Sequence, residues 1–222
     1  MKPNRLSSLI RFLIYPLVKL LARVEAVGMH NLPAGGYIVA ANHLGRLDIP
    51  MVYYLLERDD IILLVAEKYR KYGIVRWLVD SLDAIWLDRF NADFHALRET
   101  LEKLKAGGVL VIAPEGTRST TGGLLPAKPG VSYLAAKSGL PVVPVAVTGT
   151  EDERVFADLK RLKRADVCVR VGEPFYLPIP KGADRDAILE RNTDEIMCRI
   201  AALLPQSYWG VYADHPRLRE LI

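Results

Sequence analysis

Val109-Leu110-Val111-Ile112-Ala113-Pro114-Glu115-Gly116-Thr117-Arg118-Ser119 is the stretch on which the fold turns. Val109–Ala113 reads as a buried strand. The run then breaks into seven compact polar and turn-forming residues. In open α/β sheets, ligands bind outside the carboxyl ends of the strands, so this junction marks a candidate site.

The same logic extends in both directions. Further strands are predicted over Tyr37–Ala41, Ile61–Ala66, Ala84–Leu87, Val142–Thr148 and Val167–Val171. Helices are predicted over Ile49–Glu57, Tyr72–Asp80, Ala92–Lys105, Val131–Ser138 and Arg185–Leu203. Short β-like runs that alternate with helical stretches imply an α/β fold: one domain with a mixed, mostly parallel sheet flanked by helices. No repeat, low-complexity tract or interdomain linker interrupts it. The tail after Pro205 gives no readable pattern.

Size and charge narrow the class. The chain has 222 residues, half of them hydrophobic, and a formal net charge of +4 from 30 basic and 26 acidic side chains. That is enough for one real core. It does not suggest a nucleic-acid partner, since no basic run is interleaved with aromatics. Cys168 and Cys198 form no CxxC and read as reduced core thiols. Neither a metal motif nor a dinucleotide fingerprint occurs, so no metal and no bound cofactor are expected.

Residues 5–24 read as a helix, bent at Pro16. Lys2, Arg5, Arg11, Lys19 and Arg23 gather on one side, and Leu6, Ile10, Leu13, Leu17, Leu20, Leu21 and Val24 on the other. Such a helix can lie in a membrane interface against anionic headgroups. A terminal helix packed on the core with a solvated face would show the same pattern. Basic residues interrupt the apolar stretch, so neither a secretory signal nor a membrane-spanning helix is predicted.

Four constellations carry the chemistry. In Ala41-Asn42-His43-Leu44-Gly45-Arg46-Leu47-Asp48, a histidine can exchange a proton near neutral pH, and a carboxylate on its other ring nitrogen would fix the tautomer. Side chains five apart on a straight helix point ~140° away from each other, so a turn is needed, and Gly45 can supply it. Asp48 before Ile49-Pro50 is also a good helix N-cap. Ile85-Trp86-Leu87-Asp88-Arg89 ends a strand on a charged pair. Arg89 offers a donor fork that suits a phosphate, although an isolated Asp-Arg more often makes a surface ion pair. In the third, Glu115 can bond a ligand hydroxyl, Arg118 a phosphate, and Gly116 lets backbone approach; an ordinary turn with an internal salt bridge is the alternative. In the fourth, Pro141 and Pro144 flank a β-run, which argues for an edge strand or an irregular start. Lys128 and Gly130 stand before the next helix; Lys128 can add positive charge to the same rim, or the two can equally belong to a solvated loop.

Taken in order, Asn42-His43…Asp48, Leu87-Asp88-Arg89, Pro114-Glu115-Gly116-Thr117-Arg118-Ser119 and Val142-Val143-Pro144-Val145 resemble the glycerolipid acyltransferase family, in particular the 1-acylglycerol-3-phosphate acyltransferases. The resemblance spans about residues 30–150. It implies His43 as general base and Asp48 as its orienting partner. Arg89, Arg118 and Lys128 would bind the acceptor's phosphate. Asn42, Glu115, Gly116 and Thr117 would shape the acceptor site, and Pro144 would belong to the acyl-binding wall. The chain departs from the family at Gly45, where a small hydroxyl residue is frequent, and at Leu87 and Ala113, where aromatics are. The N-terminal segment has room for about one membrane helix where relatives often carry two.

On this reading residues 1–27 form an amphipathic membrane-associating helix and 28–222 the acyltransferase domain. The co-substrates would be an acyl-CoA or acyl-carrier-protein thioester and a lysophospholipid. Partners would be an anionic membrane surface and, for one donor type, an acyl-carrier protein. The expected location is peripheral on the cytoplasmic face. Transfer would be direct, because Gly130-Val131-Ser132-Tyr133-Leu134 lacks the last glycine of a nucleophile elbow and neither cysteine has an activating neighbour in sequence. Other readings are acylation of a different lysolipid or an amino-acid lipid, a thioester or lipid hydrolase, and a lipid-binding scaffold without turnover. The intact His43–Asp48 pair counts against the last.

Overall fold

The computed structural model describes residues 5–88, 93–180, 182 and 184–222. Seven strands form one sheet: β1 (Ala22–Val27), β2 (Tyr37–Ala41), β3 (Ile61–Ala66), β4 (Ile85–Leu87), β5 (Val109–Ile112), β6 (Val142–Thr148) and β7 (Ala165–Val171). The spatial order is β1-β7-β6-β2-β5-β3-β4. Every pairing is parallel except β6 with β7, so β7 and β1 run against the other five.

Alternation along the strands assigns the two faces. Tyr37 and Val39 of β2, with Val143, Val145 and Val147 of β6, point to one layer. It is completed by Val18 of α1 (Arg5–Leu21), Met51 and Tyr53 of α2 (Asp48–Leu55) and Val155 of α6 (Asp152–Lys160). Ile38, Ala40, Val142 and Ala146 point the other way, onto α4 (Phe94–Lys105), α5 (Gly130–Ser138), α7 (Arg185–Leu203) and α8 (Pro216–Leu221). Helix α3 (Gly73–Ser81) buries only Val79.

Three elements differ from the sequence-based expectation. The first helix ends at Leu21, and Ala22–Val27 is an edge strand paired with β7. Its alternating ARVEAV continues the apolar and basic spacing of the helix before it, which hid the change of period. Helix α6 buries a single residue, so it has almost no apolar stripe to read. Its signal is electrostatic: Asp152 and Glu153 in the first turn and Lys160 in the last. Strand β6 is internal despite its prolines. The missing N–H of Pro144 falls on the β7 side, where the antiparallel ladder has not yet begun; there the Pro144 carbonyl accepts from Gly172 N.

Among the described residues, no helix is long and apolar enough to cross a membrane. On α1, Val18 is buried and Tyr15 stacks on Tyr54 of α2, while Phe12, Leu13, Leu17 and Leu20 are exposed.

Candidate active site

The carboxyl ends of β2, β5 and β6 converge. Asn42 follows β2 and lies buried, and its amide makes a two-way pair with β6: Nδ2 donates to Val147 O at 2.8 Å and Oδ1 accepts from Val147 N at 2.7 Å. The side chain thus extends the sheet by one rung past the end of the strand and fixes where His43 begins. Asn42 acts here as a brace beneath the site.

His43 Nδ1 lies 2.6 Å from Asp48 Oδ2. The same oxygen accepts from Leu44 N at 2.8 Å and Gly45 N at 3.1 Å. Asp48 is the first residue of α2, and its carboxylate reaches back into the preceding loop, so the expected N-cap role is replaced by a clamp on the His43 turn. Gly45 is required for a close approach: a Cβ there would stand 1.8 Å from Thr150 O. A hydroxyl-bearing residue has no room, which accounts for the glycine.

Glu115 is buried, and both of its oxygens are used internally. Oε1 accepts from His43 N at 3.1 Å and Oε2 from Leu125 N at 2.8 Å. It ties the His43 loop to the 120s loop, in place of the ligand contact expected from sequence. Burial pushes its carboxyl pKa up, and the two backbone N–H groups oppose that shift. Ser119 N donates to His43 O at 2.8 Å, and Ser119 Oγ to Gly123 O at 2.6 Å.

Arg118 does reach the rim. Its Nη1 pairs with Asp152 Oδ2 at 2.5 Å, and Arg46 Nη1 shares that oxygen at 2.9 Å. Arg46 N donates to Asp152 Oδ1 at 2.8 Å. Asp152 opens α6, a favourable place for a carboxylate. Sequence reasoning missed Arg46 and Asp152, because the link spans 106 positions. Gly116 takes φ +66°, donates its N–H to Ala113 O, and lets the Lys128 stem pass alongside. Thr117 and Lys128 line the mouth with it. Arg89 lies outside the described residues; its neighbour Asp88 lines the cavity.

Beneath His43 opens a cavity of about 740 Å³ with mostly apolar walls, among them Val39, Met51, Leu55, Val79, Val111 and Val145. Pro144 is not part of that wall. It sits on the opposite face of β6, beside Gly172 and Leu203, and the strand contributes Val145 and Val147 to the cavity instead.

The tail without a sequence pattern proves to be a strut. Leu124 N donates to Tyr208 O, Val211 N to Leu124 O, and Ala127 N to the Tyr212 hydroxyl. Tyr208 Oη donates to Glu151 Oε1 at 2.6 Å; burial first, then this bond, pushes its phenol pKa up to about 12. The tail therefore holds the loop that Glu115 grips from the other side.

The geometry amounts to an imidazole with its Nδ1 committed to a carboxylate and its Nε2 left for a ligand, set between a cationic rim and an apolar hollow. A sequence-family model described as "Acyltransferase" matches residues 23–148, more than half of the chain. The chain belongs to the acyltransferase family. Among curated relatives, a chloroplastic 1-acyl-sn-glycerol-3-phosphate acyltransferase of Brassica napus is 31% identical over 82% of the chain and 51% of its own length. The Saccharomyces cerevisiae protein of the same name is 35% identical over 57% and 43%, respectively. The chain thus spans about half the length of the curated relatives it matches. The crystal structure of the 1-acyl-sn-glycerophosphate acyltransferase PlsC from Thermotoga maritima superposes with a TM-score of 0.63 at 28% identity, covering 88% of this chain and 80% of that one. Among the described residues, no three His, Cys, Asp or Glu side chains gather as a metal-holding group.

Proposed function

We propose that the protein transfers a fatty acyl group from a thioester, carried on coenzyme A or an acyl-carrier protein, to the free hydroxyl of 1-acylglycerol-3-phosphate, giving phosphatidic acid. One observation carries this reading: the His43–Asp48 contact of 2.6 Å stands at the mouth of an apolar cavity with Arg118 and Lys128 on its rim. The curated relatives bear the matching name.

The steps follow from the geometry. Asp48 holds the Nδ1 proton, so Nε2 takes the proton of the acceptor hydroxyl as that oxygen bonds to the thioester carbonyl carbon. Asp48 offsets the imidazolium charge that forms. The tetrahedral adduct collapses with cleavage of the C–S bond, and the imidazolium returns its proton to the departing thiolate. General-base action of this kind is typically worth about 10²–10⁴-fold, and holding both substrates in place contributes further. The acceptor phosphate is bound by Arg118 and Lys128, with Arg46 beside them, while the acyl chain occupies the hollow below.

Direct transfer is favoured over an acyl-enzyme. Ser119 Oγ is bonded to Gly123 O, and Cys198 lies on the opposite face of the sheet with its thiol pushed up to about 11 by burial and by Asp194 and Glu195. Attachment to a membrane surface is supported by the exposed Phe12, Leu13, Leu17 and Leu20 of α1.

Purified protein incubated with radiolabelled palmitoyl-CoA or palmitoyl-carrier protein against a panel of lysolipids is the test. The expected product is labelled phosphatidic acid, dependent on 1-acylglycerol-3-phosphate. Free palmitate released at the same rate without any acceptor would identify a hydrolase. Rapid quench that traps label on Thr117, Ser119 or a cysteine would replace direct transfer with a two-step route.

A further inference from the structure

Helix α3 is unusual for how little of it is buried. Its inner residues Val75, Leu78 and Val79 line the cavity, and Val79 alone is fully covered. Its outer side carries Ile74 at 84% exposure and Trp77 at 61%, with Tyr72 at 52% just ahead of it. Isolated exposed apolar residues are ordinary, but a tryptophan and an isoleucine at helical spacing, next to an exposed tyrosine, form a patch.

The charges beside the patch have one sign in excess. Residues 67–81 hold Lys68, Arg70, Lys71 and Arg76 against Glu67 and Asp80. Glu67 pairs with Arg70, and Asp80 with Arg76. The surplus falls on Lys68 and Lys71, whose ammonium groups each lie 5.2 Å from the ring centre of the following tyrosine. Tyrosine, tryptophan and lysine around an aliphatic ridge is the composition favoured at a lipid headgroup layer. A protein-protein contact would be expected to exclude lysine from its centre.

Position supplies the last argument. Leu82, at the end of α3, packs in the same layer as Val18 of α1 and Met51 of α2. Helices α1 and α3 therefore cover the same face of the sheet, and α3 lines the cavity that opens there.

We propose that α3 and the basic turn before it are a second membrane-contact element, which sets the rim of the cavity into the headgroup layer of an anionic bilayer. Together with α1 it makes a two-point attachment that holds the rim of the cavity at the lipid surface. This deepens the acyl-transfer reading and rests on it for the role of the cavity, but the contact itself is testable without turnover.

The full chain carrying I74D/W77D, neither position lining the cavity, is compared with wild type and with L13D/L20D by sedimentation with phosphatidylcholine vesicles containing phosphatidylglycerol. I74D/W77D is expected to weaken partitioning about tenfold or more. It should slow acylation of a long-chain acceptor embedded in the vesicles and leave the rate on a monomeric short-chain acceptor unchanged. K68Q/K71Q, which alters no apolar residue, should erase the preference for anionic over purely zwitterionic vesicles. Melting curves report whether each variant is folded. If I74D/W77D and K68Q/K71Q, both folded, partition as wild type does, α3 makes no membrane contact; loss of binding by L13D/L20D in the same experiment would show that attachment through α1 stands without it. Loss of self-association with unchanged partitioning would make the patch a contact between two copies and overturn the proposal.

Discussion

His43 and His215 are two histidines beside aspartates, with opposite consequences. His43 Nδ1 is 2.6 Å from its carboxylate and the ring lines an open cavity. His215 Nε2 is 3.6 Å from Asp194, and its Nδ1 accepts from Arg217 N as the N-cap of α8 while also meeting Cys198 Sγ at 3.3 Å. Cys198, His215 and Asp194 would pass a sequence-blind search for a nucleophile triad, yet the thiol is fully buried and its pKa is raised, so it stays protonated. What separates the two is whether Nδ1, the ring nitrogen that each spends on structure, accepts or donates. At His215 the cap consumes the accepting nitrogen; at His43 the carboxylate fixes one nitrogen and leaves the other to the hollow.

The contrast is broken most directly by paired substitutions. His43→Ala should lower kcat for acylation of 1-acylglycerol-3-phosphate by about 10²–10⁴-fold with little change in the acceptor KM. His215→Ala should leave kcat unchanged and instead lower the melting temperature through loss of a cap worth about 0.5–2 kcal/mol. A rate loss in the second variant as large as in the first would erase the distinction. Next in size, Asp48→Asn should cost at least roughly 100-fold in kcat, because the amide disturbs the tautomer and faces the Leu44 and Gly45 N–H groups. Asp194→Asn, at the longer distance, should leave turnover as it is. Arg118→Ala should raise the acceptor KM about tenfold, the equivalent of one charge-assisted hydrogen bond, with kcat held. An equal rise for an acceptor lacking phosphate would remove Arg118 from that role.

The smallest effect separates two glutamates by the sign of their pH dependence. Glu195 is held low by hydrogen bonds from Arg217, ahead of the opposing burial, and from Arg199. Its contribution to stability is complete above its ordinary pKa of 4.5 and is lost as pH falls through the lower folded value. Glu115 is raised by burial, so the folded state binds its proton more readily, and stability declines as pH climbs from 4.5 through the raised value. Melting temperature measured against pH should flatten on the acid side in Glu195→Gln and lose the opposite slope in Glu115→Gln. The latter also costs about 1–2 kcal/mol, since one of two backbone donors loses its acceptor.

Much of this was legible in the sequence because the decisive signals are local. Buried strands announce themselves by composition, and the His43-x4-Asp48 contact closes within one turn. Arg118 was legible as a rim cation, but its partner Asp152 was not, since proximity created by the sheet order leaves no trace in spacing. Glu115 read as a ligand contact because a carboxylate in a polar loop looks solvated; only the fold shows two backbone donors converging on it. Pro144 was assigned to the wrong face, since the run alone does not say which parity faces the hollow. Helix α6 escaped because it buries a single residue and carries almost no stripe, and strand β1 because its apolar and basic spacing continues that of the helix before it.

The clasp of Tyr208, Val211 and Tyr212 on Leu124 and Ala127 has a temporal consequence. A ribosome that has already released the histidine, the arginine pair and every strand of the sheet has not yet released the residues that brace the 120s loop. The loop gripped by Glu115 acquires its second anchor only when residues beyond 204 clear the exit tunnel, so the sheet can be complete in the nascent chain before that loop is fastened.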